Sequence, residues 1–397
     1  MKIPSARRSR IVIVSAAIVA FALCLSQILT RDGNVVSGAL PAAAETGVNP
    51  VGSQADPARV LGVSKAMCKK CHESEVAAWM KTKHYKADDH LSAPKAKEYA
   101  AAMGVAQAEL RKSSLCMNCH GTKTVDEKGD IHSLEYGVSC SSCHGASGGV
   151  KKGWLNPHGS FHETMTIPAA QETPAHRKAR IAKIDKAGMI RPVRLYELAR
   201  NCLSCHIVSN QKLVNKAKHG AMHKNGFELV EWSSGEVRHN FQQDKKTNRT
   251  VPSLWAKRTG GKEQNRKRLK FLVGLCVDLE FSVRNLSHVK DGDGKSDFAK
   301  FFAKRVAGRK EILEALMEAL GDKAPSELEA VYEAVDSIKI SKFNFKDSAN
   351  AKKAVGTIAK NARAFAEKYD GSKIGAIDSV MSDILGKPRG KVFQPAQ

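Results

Sequence analysis

Four segments of the sequence place a histidine directly after a pair of cysteines, and two residues always separate the paired cysteines. The segments are Cys68-Lys-Lys-Cys71-His72, Cys116-Met-Asn-Cys119-His120, Cys140-Ser-Ser-Cys143-His144 and Cys202-Leu-Ser-Cys205-His206. Cysteine thiols form disulfides, bind zinc as thiolates or add to the vinyl groups of a haem, and imidazole binds metal ions. The pattern is therefore compatible with a disulfide framework, with zinc sites or with covalently attached haem.

The histidine of each motif separates these alternatives. A disulfide framework suits an exported protein, and the motifs at Cys116–Cys119 and Cys140–Cys143 have the spacing of a four-cysteine zinc ribbon. Neither alternative requires the histidines, and with 14 histidines in 397 residues four coincidences have a probability of the order of one in a million. Haem c attachment uses every residue, because the two thiols bond to the macrocycle and the histidine binds its iron.

The motifs thus predict four covalently bound haem c groups. The attachment residues are Cys68, Cys71, Cys116, Cys119, Cys140, Cys143, Cys202 and Cys205. The proximal iron ligands are His72, His120, His144 and His206. Four macrocycles would also supply much of a core, which explains how the chain manages with 6% aromatic residues.

The second axial position of each iron determines what a haem does. Two imidazoles give a low-spin iron suited to electron transfer, whereas an open position lets the iron bind small molecules. The surplus of histidine favours bis-histidine ligation. The ten remaining histidines are His84, His90, His132, His158, His162, His176, His219, His223, His239 and His288.

His84 lies twelve residues after His72, beyond a segment that we expect to be helical from Glu73 to Met80. If residues 72–84 formed one helix, they would span about 18 Å. Nitrogens on opposite sides of one iron are only about 4 Å apart, because each iron–nitrogen bond is roughly 2 Å long. We therefore expect His84 to bind a different haem from His72, or none.

Residues around the motifs form a further pattern. Its members are Trp79 before His84, Gly137-Val138 before Cys140, Gly145 after His144, His158 in Trp154-Leu-Asn-Pro-His158 and His223 in Ala221-Met222-His223. With the spacing of twelve residues before His84, this pattern resembles the tetrahaem cytochrome c-554 family of nitrifying bacteria. The resemblance covers about residues 60–240 and implies a tetrahaem electron-transfer domain.

The resemblance also implies distal ligands for three haems. It pairs His84 with His144, His158 with His206 and His223 with His72. His219, four residues before His223, is an alternative to it because both would lie on one helical face. In the family the second haem, here that of His120, has no distal protein ligand. Candidates for that position in this chain are His132, His162 and His239.

The first thirty residues have the pattern of an export signal. Arg7, Arg8 and Arg10 precede an apolar run from Ile11 to Leu23, and small residues at 41–44 offer a cleavage site. The alternative is an uncleaved N-terminal anchor, since about 18 apolar residues nearly span a bilayer. Both predict a periplasmic protein, either soluble or associated with the membrane through this segment, and both argue against nucleic acid as a partner.

The rest of the chain divides into a linker at 31–56, a tetrahaem cytochrome c domain at 57–243 and a C-terminal helical domain at 244–397. In the last part apolar residues recur at three- and four-residue steps. These stretches are 269–286, 312–320, 328–338, 355–369 and 374–385. The predicted fold class is mainly α: short helices and loops around four haems, followed by a helical bundle without a counterpart in the family.

The formal charge of +24 indicates an acidic partner, and eight ionised haem propionates would lower it only to about +16. We therefore expect an exported cytochrome that transfers electrons between periplasmic or membrane partners, one of them an acidic redox protein. The alternative is a haem enzyme acting on a small nitrogen species at an open second haem. No motif for acid–base catalysis supports it, so electron transfer is favoured.

Overall fold

A computed structural model describes most of the chain from residue 68 onwards. The described residues are 68–69, 72–125, 131–133, 137–145, 147, 173–219, 226–237, 243–244, 249–250, 262–341 and 344–390. They are mainly helical, which confirms the predicted class at that level. None of the helices in these ranges is long and apolar enough to cross a membrane, and the predicted signal or anchor at 1–30 and linker at 31–56 lie outside them.

Short elements make up the first half of the described chain. Its α-helices are α1 (Glu73–Trp79), α2 (Pro94–Met103), α3 (Ser114–His120), α4 (Cys140–His144), α5 (Pro174–Lys186), α6 (Leu195–His206), α7 (Gln211–Ala217) and α8 (Leu229–Ser234). Two 3₁₀ helices are Ala87–Ser92 and Gln107–Glu109. Two antiparallel strand pairs are β1 (Lys123–Val125) with β2 (Ile131–Ser133) and β3 (Gln243–Asp244) with β4 (Arg249–Thr250). Proline begins α2 and α5, where its missing N–H removes no helical hydrogen bond.

Longer helices make up the second half. They are α9 (Glu263–Ser287), α10 (Asp297–Leu320), α11 (Ser326–Asp336), α12 (Ser348–Lys368) and α13 (Asp378–Ile384), with 3₁₀ turns at Gly321–Lys323 and Gly375–Ile377. The apolar stretches predicted from the sequence fall in these elements. The stretch at 312–320 is only the end of α10, which begins at Asp297 where the Ser296 hydroxyl accepts a 3.1 Å hydrogen bond from the Ala299 N–H.

Helix α9 lies at the centre of the core. It packs against α10 and α12 and also against α6 and α8 from the first half of the chain. Leu272 and Leu279 of α9 and Leu203 of α6 are fully buried in one hydrophobic cluster. The helix that carries the fourth cysteine motif is thus fixed to the C-terminal helices. The predicted domain boundary at residues 243–244 stays a prediction.

A buried carboxylate reinforces the contact between α6 and α9. Glu280 of α9 has no exposed side-chain surface. It accepts hydrogen bonds from the Tyr196 hydroxyl at 2.8 Å and from Arg284 at 2.8 Å, and it forms a 3.3 Å ion pair with Arg200. A buried carboxylate is tolerated only with such partners. Two of them, Tyr196 and Arg200, belong to α6, so this cluster holds the fourth motif helix in place.

Candidate haem-binding site

Three of the motif histidines are the last residues of helices α3, α4 and α6. His120 and His144 each place Nδ1 3.0 Å from a backbone carbonyl, that of Ala87 and that of Ile190 respectively. A carbonyl only accepts, so Nδ1 is the protonated nitrogen and Nε2 keeps its lone pair for a metal. This orientation of the imidazole is the one that a proximal haem ligand requires.

The backbone after the third motif allows the hydrogen bond between His144 and the Ile190 carbonyl. Gly145 follows His144 with φ of 84°, and a Cβ there would lie 2.7 Å from the Gly188 carbonyl. Only glycine allows this left-handed turn and the close approach together. Ile190 then returns a bond, since its N–H donates to the His144 carbonyl at 2.8 Å.

The first and third motifs meet through their cysteines. The Cys140 thiol donates a hydrogen bond to Cys68, which lowers the pKa of Cys68 to about 7 and raises the pKa of Cys140. No disulfide joins the described cysteines. The described residues also contain no group of three or more His, Cys, Asp or Glu side chains arranged to hold a metal ion by themselves.

The fourth motif contacts the third and the second. Asn201 of α6 donates from Nδ2 to the carbonyls of Ser142 and Cys143, both at 2.9 Å. The Cys205 thiol donates to the Asn118 carbonyl at 3.5 Å. Burial, with a smaller contribution from Cys205, raises the pKa of Cys143 to about 12, so its thiol is neutral. The described motifs are thus packed together rather than spread along the chain.

A buried threonine joins the second motif to the third. The Thr122 side chain is wholly buried two residues after His120. Its hydroxyl lies 2.9 Å from the Gly137 carbonyl, 2.9 Å from the Ser139 hydroxyl and 2.7 Å from the Ser142 hydroxyl. Neither Thr122 nor Asn201 belongs to a recognisable motif, so neither could be identified from the sequence.

The segment around His84 is bound to the residues that precede the third motif. The helix expected from Glu73 to Met80 is confirmed as Glu73–Trp79, and turns occupy the chain from there to His84, so residues 72–84 do not form one helix. The Val138 N–H donates to the His84 carbonyl at 2.8 Å. A Cβ at Gly137 would lie 2.3 Å from the same carbonyl, so this backbone approach requires glycine.

The His84 imidazole lies beside the fourth motif. Its ring centre is 6.0 Å from that of His206. Burial lowers the pKa of His84 and outweighs the opposite influence of Glu236, so the ring is neutral, as a metal ligand must be. The pairing of His84 with His144 stays a prediction.

The His120 imidazole has two histidine neighbours. The ring centre of His219 is 6.0 Å away and that of His90 is 6.1 Å away. Burial is the largest influence on the pKa of His120 and lowers it, which keeps this ring neutral as well. From the sequence, His219 was expected only as an alternative to His223 at the haem of His72, and His90 had no assigned haem; the structure places both rings beside His120.

Several predicted ligands lie outside the described residues. They are Cys71, His158, His162, His223 and His239. His132 lies on β2, paired with Thr124 of β1. His72 is described and exposed, with Nδ1 3.9 Å from a carboxylate oxygen of Glu75. The distal roles of His158 and His223 therefore remain predictions from the resemblance.

Paired thiols beside an imidazole oriented through Nδ1 are the attachment chemistry of c-type cytochromes. Residues 67–145 match the model of the family described as cytochrome c554 and c-prime. The match confirms the resemblance for this segment, which includes the first three motifs, and it supports a c-type cytochrome with covalently bound haem c that takes part in electron transfer. No curated protein and no solved structure matches the chain.

Proposed function

We propose that the protein is an exported tetrahaem cytochrome c that transfers electrons between periplasmic or membrane redox partners. The packing of the motifs carries this proposal. The first and third motifs meet at Cys68 and Cys140, and the fourth meets the second where Cys205 contacts Asn118. Because each cysteine would hold the edge of a haem, such contacts favour macrocycles packed closely enough to relay electrons.

The residues present fit the proposed cofactors. Eight motif cysteines would attach four haems, and four motif histidines would bind their irons. When bound, the haems supply iron that alternates between the ferric and ferrous states. The chain orients the imidazoles, as the carbonyls of Ala87 and Ile190 do for His120 and His144. In this proposal His84, His158 and His223 complete the coordination of three irons from the distal side.

The charge of the chain supports an acidic redox partner. The excess of 64 Lys and Arg over 40 Asp and Glu gives +24, more than the haem propionates would neutralise. A basic protein is steered towards an acidic one, and screening by salt weakens that attraction. The N-terminal pattern at Arg7–Leu23 supports export, with this segment removed or retained as an anchor.

A haem enzyme acting on a small nitrogen species is the alternative, and it needs an open iron position at His120. Two imidazoles lie within 6.1 Å of the His120 ring. Their presence favours a ligated iron, and a ligated iron favours electron transfer over small-molecule chemistry. We therefore place electron transfer first.

The experiment is maturation of the full chain with a haem-attachment system, followed by mass spectrometry and optical spectroscopy. We expect a red protein with the mass of four haems, and one haem fewer in the double variant Cys202→Ser/Cys205→Ser. Cys276→Ala is the matched control, because Cys276 is buried in the core outside the motifs, and it should keep all four. A colourless protein, or a mass with fewer than four haems in the wild type, would refute the proposal.

A further inference from the structure

The separation of His219 and His120 is that of two imidazoles on one iron. Iron–nitrogen bonds of roughly 2 Å on each side place the ligand nitrogens about 4 Å apart and the ring centres about 6 Å apart. The observed separation of ring centres is 6.0 Å, and the two ring planes are inclined by 23°. The Nδ1 of His120 faces the Ala87 carbonyl, so its Nε2 points away from residue 87.

His219 follows the end of helix α7 after one residue in a left-handed backbone conformation. The helix ends at Ala217, and Lys218 follows with φ of 54°, the only positive φ of a residue other than glycine in the described part of the chain. A left-handed conformation is unfavourable for a residue that has a side chain. The His219 N–H then donates to the Leu213 carbonyl at 3.2 Å. A left-handed residue with these hydrogen bonds is a helix C-cap, and it fixes the direction in which the chain leaves α7.

Two other elements hold α7 and its histidine. On one side lies α2, where the Met103 carbonyl accepts a 3.1 Å hydrogen bond from Lys212 and the Tyr99 ring centre is 4.9 Å from that of His219. On the other side lies the start of α10, where the Phe298 N–H donates to the Asn215 side chain at 2.8 Å.

The start of α10 also contacts Lys218 directly. Asp297, the first residue of α10, forms an ion pair with Lys218. The C-terminal helices therefore contribute directly to the position of His219. This gives them a role in the cytochrome, although the family match ends at residue 145.

His90 is the rival ligand, with its ring centre 6.1 Å from that of His120. It belongs to the 3₁₀ helix Ala87–Ser92, whose first residue accepts the hydrogen bond from Nδ1 of His120. The residue at the start of that element therefore lies on the Nδ1 side of the ring, whereas iron would bind at Nε2. The side chain of His90 is also exposed, while that of His219 is partly buried.

We propose that His219 is the distal ligand of the haem attached at Cys116 and Cys119, which closes the iron position that the family leaves open. The inference rests on the proposed tetrahaem function. It makes the second haem a bis-histidine, low-spin centre with the chemistry of an electron carrier.

The test compares His219→Ala with His90→Ala in the fully matured protein by electron paramagnetic resonance. We expect His219→Ala to contain one more high-spin ferric haem than the wild type, to bind carbon monoxide at that haem when reduced, and to recover the low-spin signal with added imidazole. His90→Ala should match the wild type. An unchanged spectrum for His219→Ala, or the extra high-spin haem in His90→Ala instead, would overturn the inference.

Two further variants identify the haem that His219 binds and distinguish loss of the ligand from misfolding. In a Cys116→Ala/Cys119→Ala background, which lacks the second haem, His219→Ala should add no high-spin centre; if it does, the ligand belongs to another haem. His219→Met should stay low-spin with a raised reduction potential, because thioether ligation favours ferrous iron. The mass of each variant reports its haem count, so loss of the tetrahaem assignment is distinguished from loss of the ligand assignment.

Discussion

The indole N–H of Trp79 donates a 2.8 Å hydrogen bond to the carbonyl of Val138, a residue 59 positions further along the chain. Trp79 ends the helix that follows the first motif, and Val138 lies two residues before the third motif. The Val138 N–H is also used, since it donates to the His84 carbonyl at 2.8 Å. One residue therefore joins both ends of the segment 79–84 to the third motif.

Replacing Trp79 with Phe removes this hydrogen bond and keeps an aromatic ring in place. The Val138 carbonyl would lose its partner in a half-buried environment, so we expect the free energy of unfolding to fall by about 1–3 kcal/mol. Denaturant titration of the matured protein measures the change. The neighbouring exposed residue offers a control, because Met80→Ala should change stability by less than about 0.5 kcal/mol. Equal losses in both variants would contradict the role given to the indole.

His84→Ala tests whether the segment after the first motif supplies a ligand to another haem. We expect one low-spin haem to become high-spin and the haem of His72 to keep its ligands, because the partly buried His84 ring lies beside the fourth motif. Electron paramagnetic resonance of the oxidised protein measures the change. The exposed His288 provides the control, and His288→Ala should leave the spectrum unaltered. A change confined to the haem of His72 would show that the assignment is wrong.

Two irons are candidates for binding His84. The family resemblance assigns it to the haem of His144, whereas its ring centre lies 6.0 Å from that of His206. A crystal structure of the wild-type holoprotein would identify the iron directly. If His84 binds neither iron, the spectrum of His84→Ala should equal that of the wild type. His84 would then not be a haem ligand.

Local signals in the sequence made the motifs and the long helices predictable. Haem attachment needs two thiols and an imidazole within five consecutive residues, so Cys202 to His206 can be recognised without a fold. The helix Glu263–Ser287 was equally accessible, because apolar residues recur with the helical period between Leu269 and Leu286. Both signals depend only on residues that are close in the chain.

The end of α1 and the pairing of histidines depend on distant residues. The helix ends at Trp79, where the Thr82 hydroxyl donates to the Trp79 carbonyl at 2.7 Å. The Val138 carbonyl, from a distant part of the chain, accepts the indole hydrogen bond of Trp79. His120 and His219 are 99 positions apart in the sequence and are brought together by tertiary packing, in which α7 contacts α2 and α10. Spacing along the chain contains no information on such contacts.

Asp278 provides a test of how the C-terminal helices support the fourth motif. Its buried carboxylate accepts two hydrogen bonds from Arg305, both at 2.7 Å, and one from Arg309 at 2.9 Å. Arg309 also donates to the Phe227 carbonyl at 3.3 Å, and the Phe227 ring stacks on His206 with centres 4.7 Å apart. Asp278→Asn should lower the free energy of unfolding by about 3–5 kcal/mol, because it leaves the buried guanidinium charges of Arg305 and Arg309 without their partner.

The same residue predicts how stability depends on pH. Burial alone raises the pKa of Asp278, but Arg305 and Arg309 outweigh burial and hold the pKa below its ordinary value of 3.8. A lowered pKa in the folded state stabilises the fold above 3.8, and this stabilisation is lost as the pH falls through the folded pKa. Denaturant titrations across this range should show a smaller acid-induced loss in Asp278→Asn than in the wild type.

The surface pair of Asp336 and Lys310 supplies the control for Asp278. The Asp336 side chain is 58% exposed, and an exposed ion pair contributes less than about 1 kcal/mol. Asp336→Asn should therefore change the unfolding free energy far less than Asp278→Asn. Similar effects of the two substitutions would mean that the buried cluster of Asp278, Arg305 and Arg309 does not stabilise the contact of α9 with α10.

The basic surface predicts opposite salt dependences for anionic and cationic electron acceptors. An excess of +24 attracts an anionic complex such as ferricyanide and repels a cationic cobalt complex. Screening is strong beyond about 10 Å at 0.1 M salt, so added salt should slow oxidation of the reduced protein by the anion and accelerate oxidation by the cation. Stopped-flow absorbance of the haem bands measures both rates. Equal dependence on salt for the two acceptors would mean that the charge excess lies away from the haem edge where electrons leave. That charge would then not speed the association with an acidic partner.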